Sequence, residues 1–239
     1  MKEEKPALKN IKSIALYIII IFGYFLLTQV PMLLIAVLSP IFNKGSVIVN
    51  TILFITWIVL VGLIIFVTWR YYHKKGDKEK LKIGFKDIGI ALGYYVGMLL
   101  ITMVMTMLMQ ATYGADTSEN QAVLEAMFAS GKNIWFVGGM SLTVGVVAPI
   151  LEELVFRGIP SVTLFKNSPK WFIMFMTSIV FSSVHLSENI ISFVMYALMG
   201  AMLCHAYFRR GNIIDSMLVH FFNNAIVAVF MFLTFITQK

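Results

Sequence analysis

Charge is scarce in this chain. Asp, Glu, Lys and Arg make up 13% of its 239 residues, whereas a soluble globular domain carries about 25%. So few charges cannot clothe a water-facing surface of this size. Cysteine is nearly absent too. The single residue, Cys204, excludes an internal disulfide and leaves the redox compartment undetermined. Few acidic residues lie within apolar stretches, Glu152, Glu153 and Asp215 among them. What the chain has in abundance is apolar sequence, 59% of residues, in long blocks rather than short alternations. Blocks of about 20 apolar residues match the hydrocarbon thickness of a bilayer. The expected fold is therefore all-α: a polytopic transmembrane helical bundle, multi-pass in the cell membrane, with the lipid bilayer as its principal partner.

Seven spans are expected, near residues 14–38, 47–69, 87–112, 134–159, 171–187, 189–208 and 212–236. The net charge of +7 does not point to nucleic acid, because the basic residues fall in short runs between apolar blocks, as in cytoplasmic loops. Residues 1–12 hold Lys2, Lys5, Lys9 and Lys12. The second loop region holds Arg70, Lys74, Lys75, Lys78, Lys80, Lys82 and Lys86. Arg157, Lys166 and Lys170 flank the fourth loop, and Arg209 and Arg210 the sixth. Those sixteen oppose three, Lys44, Lys132 and Lys239, which predicts a cytoplasmic N-terminus and an external C-terminus. The first apolar block is too long for the h-region of a cleavable signal, and no A-x-A-like site follows it. Trp69, Tyr71, Tyr72, Trp135 and Trp171 fall at span ends, as interfacial aromatics do. Pro31 is expected to kink the first span, since it lacks a backbone donor.

One loop differs from the others. In "TSENQAVLEAMFASG" Ser118 and Gln121 have capping-box spacing, and Gly131 can end the helix. This predicts a short amphipathic helix on the outer surface, read as a connector resting on the membrane, with a cover over the bundle as the alternative. Met103, Met105, Met107 and Met109 recur at every second residue, so they share no helix face. They read as adaptable apolar filler rather than a metal-binding stripe. No internal repeat is evident. The expected division is residues 1–133, N-terminal transmembrane helices and loops, and residues 134–239, a core carrying the chemistry, within one integral membrane domain.

Ionisable residues within membrane spans are functional candidates by default. The first half of the chain offers almost none. The second half offers Glu152, Glu153, Arg157, His185, His205, Asp215, His220 and Asn224. Counted from the basic ends of their spans, Glu152 and His185 lie roughly 20 Å deep, Asn224 about 18 Å and His220 about 12 Å. Glu153 and Arg157 are i, i+4 and can pair; so placed are His220 and Asn224, which point into one space. Glu152 is rotated about 100° from Glu153 and faces a different neighbour. A carboxylate in a poorly solvated place beside another charge is tuned for general-base work near neutral pH. A histidine at the same depth can share a water with it, and His220 with Asn224 can donate to a developing oxyanion. Such a set can hydrolyse a peptide bond without a covalent intermediate. Arg157 cannot act as a base and reads as structural. His205 and His73 read as interfacial and solvated, and Asp215 as complementing a helix N-terminus. The basic loop reads as a topology signal touching anionic lipid.

Three motifs carry a resemblance: "EELVFR" (Glu152 to Arg157), "FSSVH" (Phe181 to His185) and "HFFNN" (His220 to Asn224). They resemble, complete and in order, those of the CAAX protease and bacteriocin-processing (CPBP, or Abi) intramembrane proteases, whose bacterial members are similar to the type II CAAX prenyl endopeptidase. The resemblance covers about residues 134–225. It implies an intramembrane endopeptidase in which Glu152 and His185 activate water, His220 and Asn224 stabilise the oxyanion, and Glu153 and Arg157 hold the geometry. The implied substrate is a membrane-associated peptide or the precursor of a secreted peptide, in a bacterial setting suggested by the Lys/Ile/Met-rich composition. The residues leave the cofactor open: no cofactor is the expectation, and zinc on Glu152, His185 and His220 is the alternative, since two histidines and a glutamate are the ligands of several catalytic zinc sites. No H-E-x-x-H or G-x-S-x-G is present, and the Gly76–Asp77 pair lies in the basic loop, leaving Asp215 without a partner for a two-aspartate mechanism. Two other readings compete: a non-catalytic immunity or scaffold membrane protein, and a proton-coupled transporter, against which stands the lack of inverted repeats.

Overall fold

The computed structural model describes residues 6–76 and 82–237, with side chains from residue 11 onward. Lys2, Lys5, Asp77, Lys78, Lys80 and Lys239, and the side chain of Lys9, lie outside the described residues. The described residues form eight helices and no strand: α1 (Pro6–Lys44), α2 (Val47–Lys75), α3 (Phe85–Tyr113), α4 (Glu119–Ala129), α5 (Ile134–Val162), α6 (Lys170–Val184), α7 (Ile190–Arg210) and α8 (Ile213–Thr237). Among these residues six, all but α4 and α6, are long and apolar enough to cross a bilayer. Apolar side chains cover much of their outer surface: Ile19, Val37, Val59 and Phe230, for example, are more than 60% exposed. That is the signature of a lipid-facing surface rather than a water-facing one. The chain is an all-helical, multi-pass membrane protein.

The fifth expected span is shorter than the sequence suggested. Helix α6 has 15 residues, about 22 Å at 1.5 Å per residue, against a hydrocarbon core of about 30 Å. It stops at His185, whose backbone is extended (φ −90°, ψ 132°). The next helix starts only after Asn189, whose side chain accepts from the Ser192 amide at 2.8 Å. The polar run Ser182–Asn189 competes for backbone hydrogen bonds and cannot extend either helix. Expected spans 171–187 and 189–208 thus become 170–184 and 190–210, with five residues between them. Helix α1 runs through both Pro31 and Pro40; the Trp57 indole donates to the Pro31 carbonyl at 3.0 Å.

Lipid is as apolar as leucine, so helices in a membrane associate through close packing of small residues rather than through hydrophobic expulsion. Three glycines mark such approaches. A Cβ on Gly139 in α5 would meet Ile35 of α1 at 2.4 Å, and one on Gly145 would meet Ala228 of α8 at 3.2 Å. One on Gly200 in α7 would meet the Ser178 Cα of α6 at 3.1 Å. Helix α5 is accordingly the most enclosed of the long helices, flanked by α1, α2, α6 and α8. The two halves of the chain are not side by side but interleaved, since α3 packs on α7 and α8.

At one end of the bundle, Asp87 at the start of α3 and Asp215 in the first turn of α8 both pair with Arg209 and Arg210 at the end of α7, at 2.6–3.0 Å. Asp215 therefore does more than complement its own helix: it accepts a two-pronged Arg210 guanidinium and ties three helices together. His73, expected to be solvated, is half-buried and stacked on Trp69 at 4.4 Å. His205 meets the Tyr94 hydroxyl at 2.6 Å.

Candidate active site

Helix α5 is not a regular helix. It is α-helical at Ile134–Leu142, Ala148–Glu153 and Ile159–Val162, and π-helical at Thr143–Val147 and Leu154–Gly158. Each π turn runs into a segment whose second residue is proline, Pro149 or Pro160. A proline lacks an N–H, and its ring crowds the carbonyl one turn back; widening that turn relieves the clash. Such bulges recur at functional sites. Here they bracket Glu152 and Glu153, and the upper one exposes a carbonyl that another helix uses: Asn224 of α8 donates to the Val144 carbonyl at 3.2 Å.

Glu153 and Arg157 are both fully buried and paired at 3.0 Å. Arg157 also donates to the Gly200 carbonyl at 3.3 Å and stacks over the Phe181 ring at 4.2 Å. The same carboxyl oxygen, Glu153 Oε1, accepts from His220 Nδ1 at 2.9 Å. Since an ionised carboxylate can only accept, His220 carries its proton on Nδ1, and Nε2 is turned the other way. Glu152 Oε2 lies 3.9 Å from that Nε2. Glu152 is part-exposed to a cavity, and its Oε2 is buried with no hydrogen-bond partner among the described residues. Orphaned polar atoms of this kind are rare and need a reason.

The cavity measures about 520 Å³. Glu152, His185, His220, Asn224 and Asn223 all line it, with Phe181. His185 Nδ1 donates to the Phe181 carbonyl at 2.7 Å, leaving Nε2 as its remaining ring nitrogen. Phe181 is the hub of this corner. Its ring packs against His185 at 4.2 Å, His220 at 6.1 Å and the Arg157 guanidinium. All six residues singled out in the sequence therefore meet: Glu152, His185, His220 and Asn224 around the cavity, Glu153 and Arg157 buried behind it. Asn224 is less free than its spacing suggested. One amide hydrogen goes to Val144, and its oxygen accepts from Asn223 at 3.0 Å.

Much of the cavity wall was invisible in the sequence. Phe25, Thr28 and Gln29 of α1 and Tyr95, Met98, Thr102 and Thr106 of α3 face it, though the first half of the chain contributed only hydropathy to the sequence reading. No motif could have found them; they are ordinary residues whose face is set by packing. Helix α4 also proves to be more than a connector. Ser118 caps it as expected, accepting from the Gln121 amide at 3.3 Å, and Gln121, Leu124 and Met127 on its inner face line the cavity. The covering role, the minor alternative at the sequence level, is the one the packing shows. Tyr196 of α7, which no motif flagged, stacks on His185 at 4.7 Å.

Among the described residues no three of His, Cys, Asp and Glu form a group that could hold a metal ion. Glu152, His185 and His220 line the same cavity, and no step below is routed through a metal.

Residues 133–226 match the family model described as Type II CAAX prenyl endopeptidase Rce1-like. A protein of Bacillus subtilis (strain 168), YdiL, whose description proposes it as a membrane peptidase, is 27% identical over 116 residues. That match covers 48% of this chain and 44% of the relative, so the chain spans less than half of the relative's length. No solved structure matches the chain.

Proposed function

We propose, from the match of residues 133–226 to the family model described as Type II CAAX prenyl endopeptidase Rce1-like, that the chain is an intramembrane endopeptidase of the glutamate type. One observation carries the mechanism: the partnerless Glu152 Oε2 sits 3.9 Å from His220 Nε2 at the wall of a cavity that His185 also lines. A single water hydrogen-bonded to both groups spans such a gap.

The Glu152 carboxylate takes a proton from that water, with His185 Nε2 accepting its second hydrogen bond. The resulting hydroxide oxygen bonds to the carbonyl carbon of the substrate, and the carbonyl electron pair moves onto its oxygen. His220 meets that oxyanion. With Nδ1–H given to Glu153, a doubly protonated ring presents Nε2–H to it. The remaining amide hydrogen of Asn224 is the second donor, and such fixed donors are the largest single contribution in many hydrolases. Glu152 then passes its proton to the amide nitrogen, and the C–N bond breaks. Arg157 pairs with Glu153 and so fixes the carboxylate that holds the His220 ring by its Nδ1–H.

The substrate is a peptide or protein segment that reaches the cavity within the membrane, such as a membrane-associated or secreted-peptide precursor. Among the described residues the cavity wall carries no charged side chain other than Glu152, apart from the two histidines, which suits an uncharged stretch around the cleaved bond. Peptide profiling of cells with the protein, without it, and with Glu152→Ala tests the reading. Peptides present with the wild type and missing from both other samples are the expected result. Identical profiles for wild type and a stably expressed Glu152→Ala would end it.

A further inference from the structure

The histidine assigned above as the water's second acceptor is held by very little of its own backbone. His185 lies just past the end of α6, in extended conformation, so the neighbouring turn of helix does not restrict its side-chain rotamers as it would inside one. Nor does it have a carboxylate on its Nδ1, as His220 has. Among the described residues its ring makes one hydrogen bond, to the Phe181 carbonyl. The ring is instead packed against two aromatic rings, Phe181 at 4.2 Å, tilted by 44°, and Tyr196 at 4.7 Å, stacked and inclined by only 22°.

Tyr196 is in turn fixed from outside the catalytic helices. It is buried, and its hydroxyl lies 2.8 Å from the Ser118 hydroxyl, itself buried. Ser118 caps α4, the helix whose inner face closes over the cavity. The chain of contacts therefore runs from the cover helix through one hydrogen bond to a tyrosine and through one ring stack to the histidine.

We propose that Tyr196 is a positioning residue for His185, orienting its ring through the stack and anchored by Ser118, so that the seating of α4 and the alignment of His185 are coupled. The inference rests on the endopeptidase reading for its purpose but not for its test. A ring held by one hydrogen bond and two faces keeps one tautomer, with the proton on Nδ1. With the Tyr196 face removed, the ring can turn away from the Phe181 carbonyl, and the proton is free to move to Nε2.

Nitrogen-15 NMR of histidine-labelled, membrane-reconstituted protein reads this directly, with the His185 signals assigned by their loss in His185→Gln. The wild type is expected to show His185 as a single Nδ1–H tautomer. Tyr196→Leu is expected to lose that single signal to a mixture while the His220 signals stay in place. Tyr196→Phe keeps the stack and loses the anchor. Its smaller change at His185 should appear also in Ser118→Ala, and the double variant should change less than the sum of the two, because both remove the Ser118–Tyr196 hydrogen bond while Ser118→Ala alone also removes the α4 cap. If Tyr196→Leu does not fold, Tyr196→Phe decides. Unchanged His185 signals in the folded variants, or a change shared by all four histidines, would overturn the proposal. Because no substrate is involved, that failure is separate from a failure of Glu152→Ala to alter the peptide profile.

Discussion

Glu152 and Glu153 are adjacent in sequence and opposite in circumstance. One faces a cavity with an oxygen unpartnered; the other is wholly enclosed, salt-bridged to Arg157 and hydrogen-bonded to His220. That contrast makes their substitutions separable. Removing one member of a buried pair strands the other's charge and costs about 3–5 kcal/mol, whereas replacing both with apolar residues of similar volume is often neutral. Glu153→Ala and Arg157→Ala are therefore expected to lower stability strongly in detergent unfolding. Glu153→Leu with Arg157→Met should lose less than the sum of its parts. Glu152→Ala, lining open space, should unfold almost as the wild type does. The i, i+4 spacing of Glu153 and Arg157 made that pair legible in the sequence. The second partner of Glu153, His220, lies 67 positions away, and no local pattern encodes such a contact. The same donor arrangement bears on metal. His220 gives Nδ1–H to Glu153 and His185 gives Nδ1–H to a carbonyl, an arrangement that metal-bound histidines share, but among the described residues no three-ligand group is assembled. Cleavage by purified protein is expected to survive exhaustive chelation, and metal analysis to find well under one equivalent of zinc. Activity lost on chelation and restored by zinc would require the metal mechanism instead.

At the level of helices, hydropathy located every long span, because about 20 apolar residues in a row have few other uses. It misjudged α6, whose end depends on serines and an asparagine capturing backbone groups, and that effect is invisible to an average over a window. It also missed the π turns of α5. Pro149 and Pro160 were visible, but whether a proline kinks a helix or widens a turn depends on what packs against it, here Ala228 at Gly145 and Tyr72 at Gly158. The approach of α7 to α6 and α5 at Gly200 gives a test of this packing. A Cβ there would meet the Ser178 Cα at 3.1 Å and both Arg157 Nη2 and the Phe181 ring at 3.3 Å, the backbone of α6 being unable to yield as a flexible side chain would. Gly200→Ala is expected to destabilise modestly and Gly200→Val by about 1–3 kcal/mol, as overpacking does. Because Gly200 also presents its carbonyl to Arg157, the valine variant should lose proteolysis beyond its loss of stability. Equal stability in all three proteins would mean that α7 does not pack this closely.

For the whole molecule, the charge bias predicts how the bundle sits in the bilayer. Its basic residues are lopsided, and the lopsidedness has a structural counterpart: Asp87, Arg209, Arg210 and Asp215 clasp three helices at one end, the end where α2 also finishes in His73, Lys74 and Lys75. Lys75 lies over the rings of Tyr17 and Tyr71 there, 5.9 and 6.0 Å from their centroids, as a cation does at a headgroup boundary lined with aromatics. Lys44, at the far end of α1, is on the other side. The charge bias assigns the clasp to the cytoplasm. A cysteine-accessibility experiment checks it. The native Cys204 is fully buried and contributes little background, or can be replaced by serine. Introduced singly, Lys44→Cys should react with a membrane-impermeant maleimide in intact cells, and Lys166→Cys only after the membrane is opened. The opposite pattern would invert the molecule. It would leave the cavity chemistry untouched while reversing the side from which α4 covers it, and hence which peptides, those made inside or those arriving from outside, meet Glu152 first.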